Sequence, residues 1–148
     1  VNCGLRLSEL ANVQLQDVYD DAIRIVGKGD KERYVYLNKS CQRALRLWLG
    51  KRGHQAGSLI VSKQGNQLQA SSIANVVKNE LKRVGLGHLS THKLRHTCAT
   101  LLYRYGHVDI RVLQSILGHE SIATTEIYTH VVSDQVIAAM EAHPLSDF

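Results

Sequence analysis

The segment THKLRHTCATLLYRYG, residues 91–106, has the clearest helical pattern in the chain. Its apolar residues recur every three or four positions, which predicts an amphipathic helix from about Thr91 to Tyr105, and Gly106 ends it. The residues expected on its buried face are Leu94, Cys98, Leu101 and Tyr105. His92 and Arg95 lie three positions apart on another face, so their side chains can be directed at one ligand.

The segments on either side of this helix predict a mainly α chain with one small antiparallel β-sheet, an α+β fold. Residues 22–26 and 33–37 have the composition of strands and flank Gly27–Glu32, which predicts a β-hairpin. Residues 59–61 predict a third short strand. Further helices are predicted over residues 8–13, over 40–51 with Asn38 or Ser40 as cap, from Ser71 or Ser72 to Gly85, over 110–117 between Asp109 and Gly118, from Ser121 through Tyr128, and from Ser133 or Asp134 to just before Pro144.

Length and charge point to one domain with a basic middle. With 148 residues, of which 44% are hydrophobic, the chain can close a single core, so we expect residues 1–148 to form one domain. The formal net charge is +5, and 17 of the 18 Lys and Arg residues lie between positions 24 and 111. Residues 112–148 hold five acidic residues and no Lys or Arg. This pattern predicts a polyanion-binding surface, with a solvated basic face as the alternative. An aromatic content of 5% argues against single-strand binding by base stacking.

Cysteine usage and hydropathy indicate the cellular setting. Cys3, Cys41 and Cys98 are odd in number and contain no Cys-x-x-Cys pair, so neither a disulfide framework nor a cysteine zinc site is predicted, and the reducing cytoplasm is favoured. No apolar run approaches the length of a membrane span and no signal peptide precedes the domain, so we expect no membrane partner. The chain starts at Val1 within what looks like an ordered element, and we expect it to be part of a longer protein.

Several cationic side chains have the types and spacing that suit phosphoryl transfer. With His92 and Arg95, we expect Arg6 on the first helix and Lys28 at the hairpin tip to form a ring of cations, which His119 would join after the Gly118 turn. Arginine presents a planar fork that fits two oxygens of a phosphate, and charge accumulates on these oxygens during the reaction. His92 and His96 have the spacing of the zinc motif His-Glu-x-x-His, but Lys93 stands where that motif has its glutamate. The sequence therefore predicts no metal site. It also contains no phosphate-loop motif.

Four motifs in a fixed order carry a family resemblance. They are GLRLSEL at residues 4–10, GKGDKER at 27–33, THKLRHT at 91–97 and LGH at 117–119, with YTH at 128–130 behind them. Together they closely resemble the tyrosine recombinase (phage integrase) family, and most of all the Xer-type recombinases and the integrases of bacterial mobile elements. The resemblance extends from Gly4 to about Pro144 and implies the catalytic domain of an enzyme that cleaves and rejoins DNA strands.

The resemblance implies a role for each matching residue. Tyr128 matches the nucleophile, which forms a 3′-phosphotyrosyl bond and releases a 5′-hydroxyl. Lys28 matches the general acid toward the leaving oxygen, and His92 the group that accepts or relays the tyrosine proton. Arg6, Arg95 and His119 match the residues that hold the phosphate. Glu9 would position Arg6 without contacting the phosphate itself. The residues predicted to contact the DNA backbone are Lys31, Arg33, Lys63 and Lys93.

The same resemblance implies the partners. They are double-stranded DNA, an N-terminal DNA-clamping domain absent from this chain, and a homotetramer on two synapsed sites, although an isolated catalytic domain can be monomeric. Neither ATP nor a metal ion nor another cofactor is expected, because the phosphotyrosine bond conserves the energy of the phosphodiester. A C-terminal helix would pass to a neighbouring protomer, and Val136, Ile137 and Met140 form an apolar stripe suited to this exchange. The expected location is the bacterial cytoplasm, at the nucleoid.

Two alternatives to a recombinase remain open at the level of sequence. A type IB topoisomerase uses the same chemistry but rejoins the original strand. A non-catalytic helix-turn-helix module would use residues 110–117 and the helix after Ser121, with the second helix in the major groove. Electrostatics oppose the second alternative, because Glu120 and Glu126 would face phosphates and that helix has no Lys or Arg.

Overall fold

The fold is built mainly from helices around one two-stranded sheet. The computed structural model describes residues 2–27, 31–106, 108–118 and 136–145. Its elements are α1 (Leu7–Asn12), a 3-10 turn (Leu15–Asp17), β1 (Ala22–Val26), β2 (Glu32–Tyr36), α2 (Lys39–Arg52), α3 (Ala70–Arg83), α4 (Thr91–Tyr105), α5 (Ile110–Leu117) and helical residues 136–141, here called α6. The predicted fold class is confirmed. Across the described ranges, no helix has both the length and the apolar character required to cross a bilayer.

The hairpin forms as predicted, with its second strand shifted by one residue. β1 and β2 are antiparallel, and the ladder extends from the pair Ala22 and Tyr36 to the pair Val26 and Glu32. At the turn, the N–H of Gly27 donates to the carbonyl of Lys31 at 2.8 Å. Strand alternation directs one face of each strand into the core, where Ile23, Ile25 and Val35 are buried. This alternation also places Arg33, two positions before Val35, on the inward side of β2.

The third strand, predicted over residues 59–61, is wrong. In and beside this segment the structure has only isolated bridges. One joins Ser58 to Gln14, and the other joins Val61 to Gln67. Leu59 is nevertheless buried, and its N–H donates to the carbonyl of Val13 at 2.8 Å. The apolar residues here anchor a loop to the core. Leu59 bonds to Val13, whereas Ile60 and Ser62 bond to residues 66–68, so no continuous ladder forms with either segment.

Helix caps decide where α2 and α3 begin. Asn38 caps α2 as predicted, and its side-chain oxygen accepts from the N–H of Cys41 at 3.0 Å. The cap predicted for α3 at Ser71 or Ser72 is wrong, because α3 begins at Ala70 with Gln69 as its cap. The carbonyl of Gln69 already accepts the first helical bond, so both serines lie inside the first turn.

The buried face of α4 differs from the predicted one. Cys98 and Leu102 are fully buried, whereas Tyr105, predicted as core, is 55% exposed. Leu94 and Leu101 are only partly buried. The helix is therefore rotated so that the pair at i and i+4, Cys98 and Leu102, faces the core.

Two apolar clusters form the core, and the N-terminal segment lies between them. The first cluster joins α4, α5 and α6, and its largest fully buried side chains are Leu102 and Met140. The second joins the hairpin to Val13, Leu37 and Leu59, with Trp48 of α2 packed against it. Cys3 packs against both clusters. Segment 2–6 is thus fixed where the two halves of the core meet.

The apolar stripe predicted for exchange between protomers is largely part of this chain's own core. Val136 and Met140 are buried in the first cluster, together with Ala139. Ile137 is 40% exposed. In this chain α6 uses two of the three residues to pack against α4 and α5, and their part in an exchange between protomers stays a prediction.

Candidate active site

Gly4 brings the N-terminal segment into contact with α4 and α5. Its φ of +58° lies in the left-handed region, and a Cβ there would lie 3.1 Å from Cδ2 of Leu117 and 3.3 Å from Sγ of Cys98. The carbonyl oxygen of Gly4 accepts a hydrogen bond from Nη1 of Arg95. The motif GLR therefore requires a glycine both for its backbone conformation and for the close approach of two helices.

Arg95 ties three segments together. While Nη1 donates to Gly4, Nη2 donates to the carbonyl oxygen of Leu117 at the end of α5. Burial lowers the pKa of Arg95, and the positive charge of Arg6 lowers it further. Two guanidinium groups close enough to repel each other are favourably placed to bind an anion between them.

Arg6 is held at the start of α1 by Glu9 and by the end of α5. Its Nη1 donates to Oε1 of Glu9 at 2.8 Å, and its backbone N–H donates to Oε2 at 2.7 Å. Its Nη2 donates to the carbonyl oxygen of Gly118 at 2.8 Å. The side chain of Arg6 remains 41% exposed, so solvent or a ligand can reach it. The sequence paired Glu9 with Arg6, and the structure brings the two together.

The surroundings of Arg33 differ from those expected of a DNA-backbone contact. Its Nη1 and Nη2 donate to the two oxygens of Glu9 at 2.9 Å and 3.0 Å, and its side chain is only 20% exposed. Its guanidinium also fills the space beside Gly118, where a Cβ would lie 2.7 Å from Cζ of Arg33. The signal that could have shown this is the alternation along β2, which directs Arg33 inward with Val35.

Glu9 is the one carboxylate among three arginines. Burial alone would raise the pKa of Glu9, but hydrogen bonds from Arg33 and Arg6 outweigh this effect and hold the pKa below its usual value. Glu9 is therefore ionised at neutral pH, and the four side chains together carry a formal charge of about +2. The arrangement neutralises part of the repulsion among Arg6, Arg33 and Arg95 and leaves an excess of positive charge for an anionic ligand.

His92 lies in the first turn of α4, one turn before Arg95. Its Nε2 atom is 2.9 Å from Nε2 of His96, and the two rings meet edge to face at an angle of 87°. One of these nitrogens must donate and the other accept, so the two imidazoles form a hydrogen-bonded pair. Both side chains are exposed.

Three of the predicted catalytic residues, Lys28, His119 and Tyr128, lie outside the described residues. The described residue before His119 is Gly118, which ends α5 in the left-handed conformation. The remaining predicted backbone contacts, Lys31, Lys63 and Lys93, are all exposed. Within the described part of the chain, no three His, Cys, Asp or Glu side chains are grouped so that they could hold a metal ion.

A family comparison agrees with this geometry. The model of the phage integrase family matches residues 1–135. The chain belongs to the phage integrase family. The match covers segment 2–6, the hairpin and α1 through α5, and so includes every described residue of the arginine cluster.

Individual relatives within the phage integrase family carry recombinase names. Tyrosine recombinase XerC of Caldanaerobacter subterraneus subsp. tengcongensis is 44% identical over 152 residues, which cover 99% of this chain and 43% of that relative. The crystal structure of XerA recombinase superimposes with a TM-score of 0.74 and 37% identity over 90% of this chain and 51% of that one. XerH site-specific recombinase bound to its difH substrate gives a TM-score of 0.67 and 27% identity over 89% of this chain and 43% of that one. The chain spans about half the length of the curated relatives it matches.

Proposed function

We propose that this chain is the catalytic domain of a site-specific DNA recombinase, which cleaves and rejoins DNA strands through a covalent 3′-phosphotyrosine on Tyr128. The observation that carries the proposal is the placement of Arg6 and Arg95. Their Nη2 atoms bind the carbonyls of two consecutive residues, Gly118 and Leu117. The positive charge of Arg6 also lowers the pKa of Arg95, so the two guanidinium groups are neighbours, and we assign both to one phosphate.

The proposed reaction begins when Arg6 and Arg95 hold the non-bridging oxygens of the scissile phosphate. The hydroxyl oxygen of Tyr128 attacks phosphorus, the bond from phosphorus to the 5′-oxygen breaks, and the DNA 3′-phosphate becomes attached to tyrosine. His92 takes the tyrosine proton and Lys28 protonates the leaving 5′-oxygen. His119 donates a hydrogen bond to the phosphate. Attack by a 5′-hydroxyl of another strand reverses these steps and completes strand exchange.

Glu9 and Arg33 act in this proposal through Arg6. Glu9 holds the guanidinium of Arg6 by the 2.8 Å hydrogen bond from Nη1 to Oε1. Arg33 in turn holds Glu9 by donating a hydrogen bond to each of its carboxylate oxygens. Because β2 carries Arg33, the network connects the hairpin to the phosphate-binding arginines. Positioning of this kind lowers the barrier by keeping charge where it develops in the transition state, with little reorganisation during the reaction.

The proposed partner is double-stranded DNA, bound by the basic middle of the chain. The exposed side chains of Lys31, Lys63 and Lys93 would contact the backbone, where each neutralised phosphate adds affinity that weakens with salt. Two structures with similar folds are described as XerH bound to difH and as a lambda integrase tetramer bound to a Holliday junction. By analogy we propose a homotetramer on two synapsed sites for the longer protein, acting at the bacterial nucleoid.

The Xer likeness favours a recombinase over both alternatives. A type IB topoisomerase would rejoin the original strand, whereas the relatives that match nearly all of this chain are named tyrosine recombinases. The helix-turn-helix alternative leaves Arg6, Glu9 and Arg33 without a role, although hydrogen bonds join the three side chains to one another and to the end of α5.

The proposal is tested by relaxation of supercoiled plasmid in EDTA without ATP. We expect Arg6→Ala to slow relaxation by about 100-fold or more, the usual effect of removing one donor that stabilises transition-state charge. Arg83→Ala is the matched control, because Arg83 is exposed on α3 and, within the described part of the chain, pairs with Glu80. Relaxation that requires Mg²⁺, or an Arg6→Ala variant as active as the control, would contradict the proposal. Exchange of strands between two plasmids distinguishes recombination from topoisomerase activity.

The role of Lys28 has its own test, a DNA in which sulfur replaces the 5′-bridging oxygen at the cleavage position. A thiol has a pKa of about 8.5 and leaves without protonation, so this substrate needs no general acid. We expect it to restore cleavage by Lys28→Ala and to leave Arg6→Ala impaired. If both variants respond equally, Lys28 does not protonate the leaving oxygen.

A further inference from the structure

Two cysteines far apart in the sequence meet beside the candidate active site. Sγ of Cys3 lies 3.2 Å from Sγ of Cys41, and both residues are partly buried free thiols. Cys3 belongs to the segment between the two core clusters, and Cys41 to the first turn of α2. We propose that Cys3 and Cys41 are a reversible oxidation site, at which a peroxide converts the two thiols to a disulfide.

The two thiols have different surroundings, which assigns a role to each. The hydrogen bond from Cys3 lowers the pKa of Cys41, whose position in the first turn of a helix also favours a thiolate. The pKa of Cys3 is raised, mainly by the same hydrogen bond and to a smaller extent by burial. We therefore assign Cys41 as the sulfur that attacks the oxidant and Cys3 as the sulfur that resolves the product. Cys98 is fully buried, and burial raises its pKa to about 11, so it stays unreactive.

The chemistry balances with hydrogen peroxide as the only co-reactant. The Cys41 thiolate attacks a peroxide oxygen, the O–O bond breaks, and the products are a sulfenic acid on Cys41 and hydroxide. The Cys3 sulfur then attacks the Cys41 sulfur, and the hydroxyl leaves as water with the proton of the Cys3 thiol. The two sulfurs lose two electrons in total, and the peroxide is reduced by two. A dithiol reductant reverses the reaction, as expected of a transient disulfide in a reducing compartment.

Oxidation would act on the segment that supports Arg95. A disulfide requires an S–S distance of about 2.05 Å, so the 3.2 Å contact must shorten by roughly 1 Å. Cys3 immediately precedes Gly4, whose carbonyl holds Arg95 and whose backbone packs tightly against Cys98 and Leu117. Closing the disulfide draws this segment toward α2 and away from α4. A displacement of about 1 Å at a phosphate-binding residue costs roughly tenfold to 100-fold in rate. This effect on rate rests on the proposed function, whereas the disulfide does not.

The disulfide is tested on the complete chain treated with hydrogen peroxide. We expect an intact mass lower by about 2 Da and a proteolytic product that joins the Cys3 and Cys41 peptides, both reversed by dithiothreitol. Cys98→Ser is the matched control and should form the same product. Cys3→Ser should leave a sulfenic acid on Cys41 that dimedone traps. Thiols that stay reduced under peroxide, or a product that contains Cys98, would overturn the proposal.

Plasmid relaxation separates the two claims. We expect the oxidised chain to relax plasmid about tenfold or more slowly than the reduced chain, and Cys41→Ser to be insensitive to peroxide. An oxidised chain with the mapped disulfide and undiminished relaxation would overturn the link to Arg95. A reduced chain without relaxation would contradict the proposed function, and the mass and peptide results would still decide whether the disulfide forms.

Discussion

Gly118→Ala tests whether the arginine network depends on the close approach of α5 to the hairpin. Gly118 has a φ of +62°, and an added Cβ would lie 2.7 Å from Cζ and 2.8 Å from Nε of Arg33. The guanidinium cannot swing aside without losing its bonds of 2.9 Å and 3.0 Å to Glu9. The substitution therefore strains the backbone and also breaks one side of the network.

The two effects give a magnitude. The left-handed conformation costs alanine about 1 kcal/mol relative to glycine. Loss of the Arg33 bonds to Glu9 adds about 2 kcal/mol, because Glu9 keeps its bonds from Arg6. We expect Gly118→Ala to lower the free energy of unfolding by about 3 kcal/mol, measured by urea denaturation with circular dichroism.

A glycine elsewhere in the chain separates the two effects. Gly85 also has a positive φ, +77°, but no atom lies within 4 Å of its added Cβ, so Gly85→Ala should cost only about 1 kcal/mol. In an Arg33→Ala background, the cost of Gly118→Ala should also fall to about 1 kcal/mol. Equal costs at positions 118 and 85, or an unchanged cost without Arg33, would refute the reasoning.

Three further substitutions test the network, the cap of α2 and a hydrogen bond of the second core cluster. Because the pKa of Glu9 is lowered on folding, its ionisation stabilises the chain above the unfolded-state pKa of about 4.3, and this stability is lost as pH falls through the folded-state value. Glu9→Gln should cost about 2 kcal/mol at neutral pH and flatten this acid limb in urea titrations, and an unchanged limb would contradict the assignment. Asn38→Ala should cost about 2 kcal/mol in the same assay, because Asn38 is fully buried and caps α2, whereas Asn38→Asp should keep most of the cap. Trp48→Phe removes the 2.8 Å bond from Nε1 to the carbonyl of Leu59 and should cost about 1 kcal/mol; unchanged stability would mean that this bond contributes nothing.

The sequence predicted the elements whose signals are local. The α4 helix has a periodic pattern with a serine cap before it and a glycine after it, and its observed range is Thr91–Tyr105, as predicted. β1 was predicted with its observed ends, because turn residues follow its β-branched run. Gly118 was predicted to end α5, and its left-handed conformation supplies the reason.

The errors concern features that depend on distant residues. Tyr105 continues the apolar period of α4 but is exposed. The packing of α4 in the first cluster instead directs Cys98 and Leu102 into the core. Arg33 was predicted as a DNA-backbone contact, and its pairing with Glu9 was not predicted. Its partner Glu9 is 24 residues away, and only the fold brings the two together. The contact between Cys3 and Cys41 likewise spans 38 positions and has no motif in the sequence.

The measurement that tests the central claim most directly is identification of the residue that becomes attached to DNA. The chain is incubated with supercoiled plasmid in EDTA, denatured and digested with nuclease and protease, and peptides that carry a nucleotide are mapped by mass spectrometry. We expect a 3′-phosphate linked to Tyr128 that is absent from Tyr128→Phe. The matched control is Tyr105→Phe, which changes an exposed tyrosine on α4 and should retain the adduct. A nucleotide attached to any other residue, or an adduct that persists in Tyr128→Phe, would contradict this expectation.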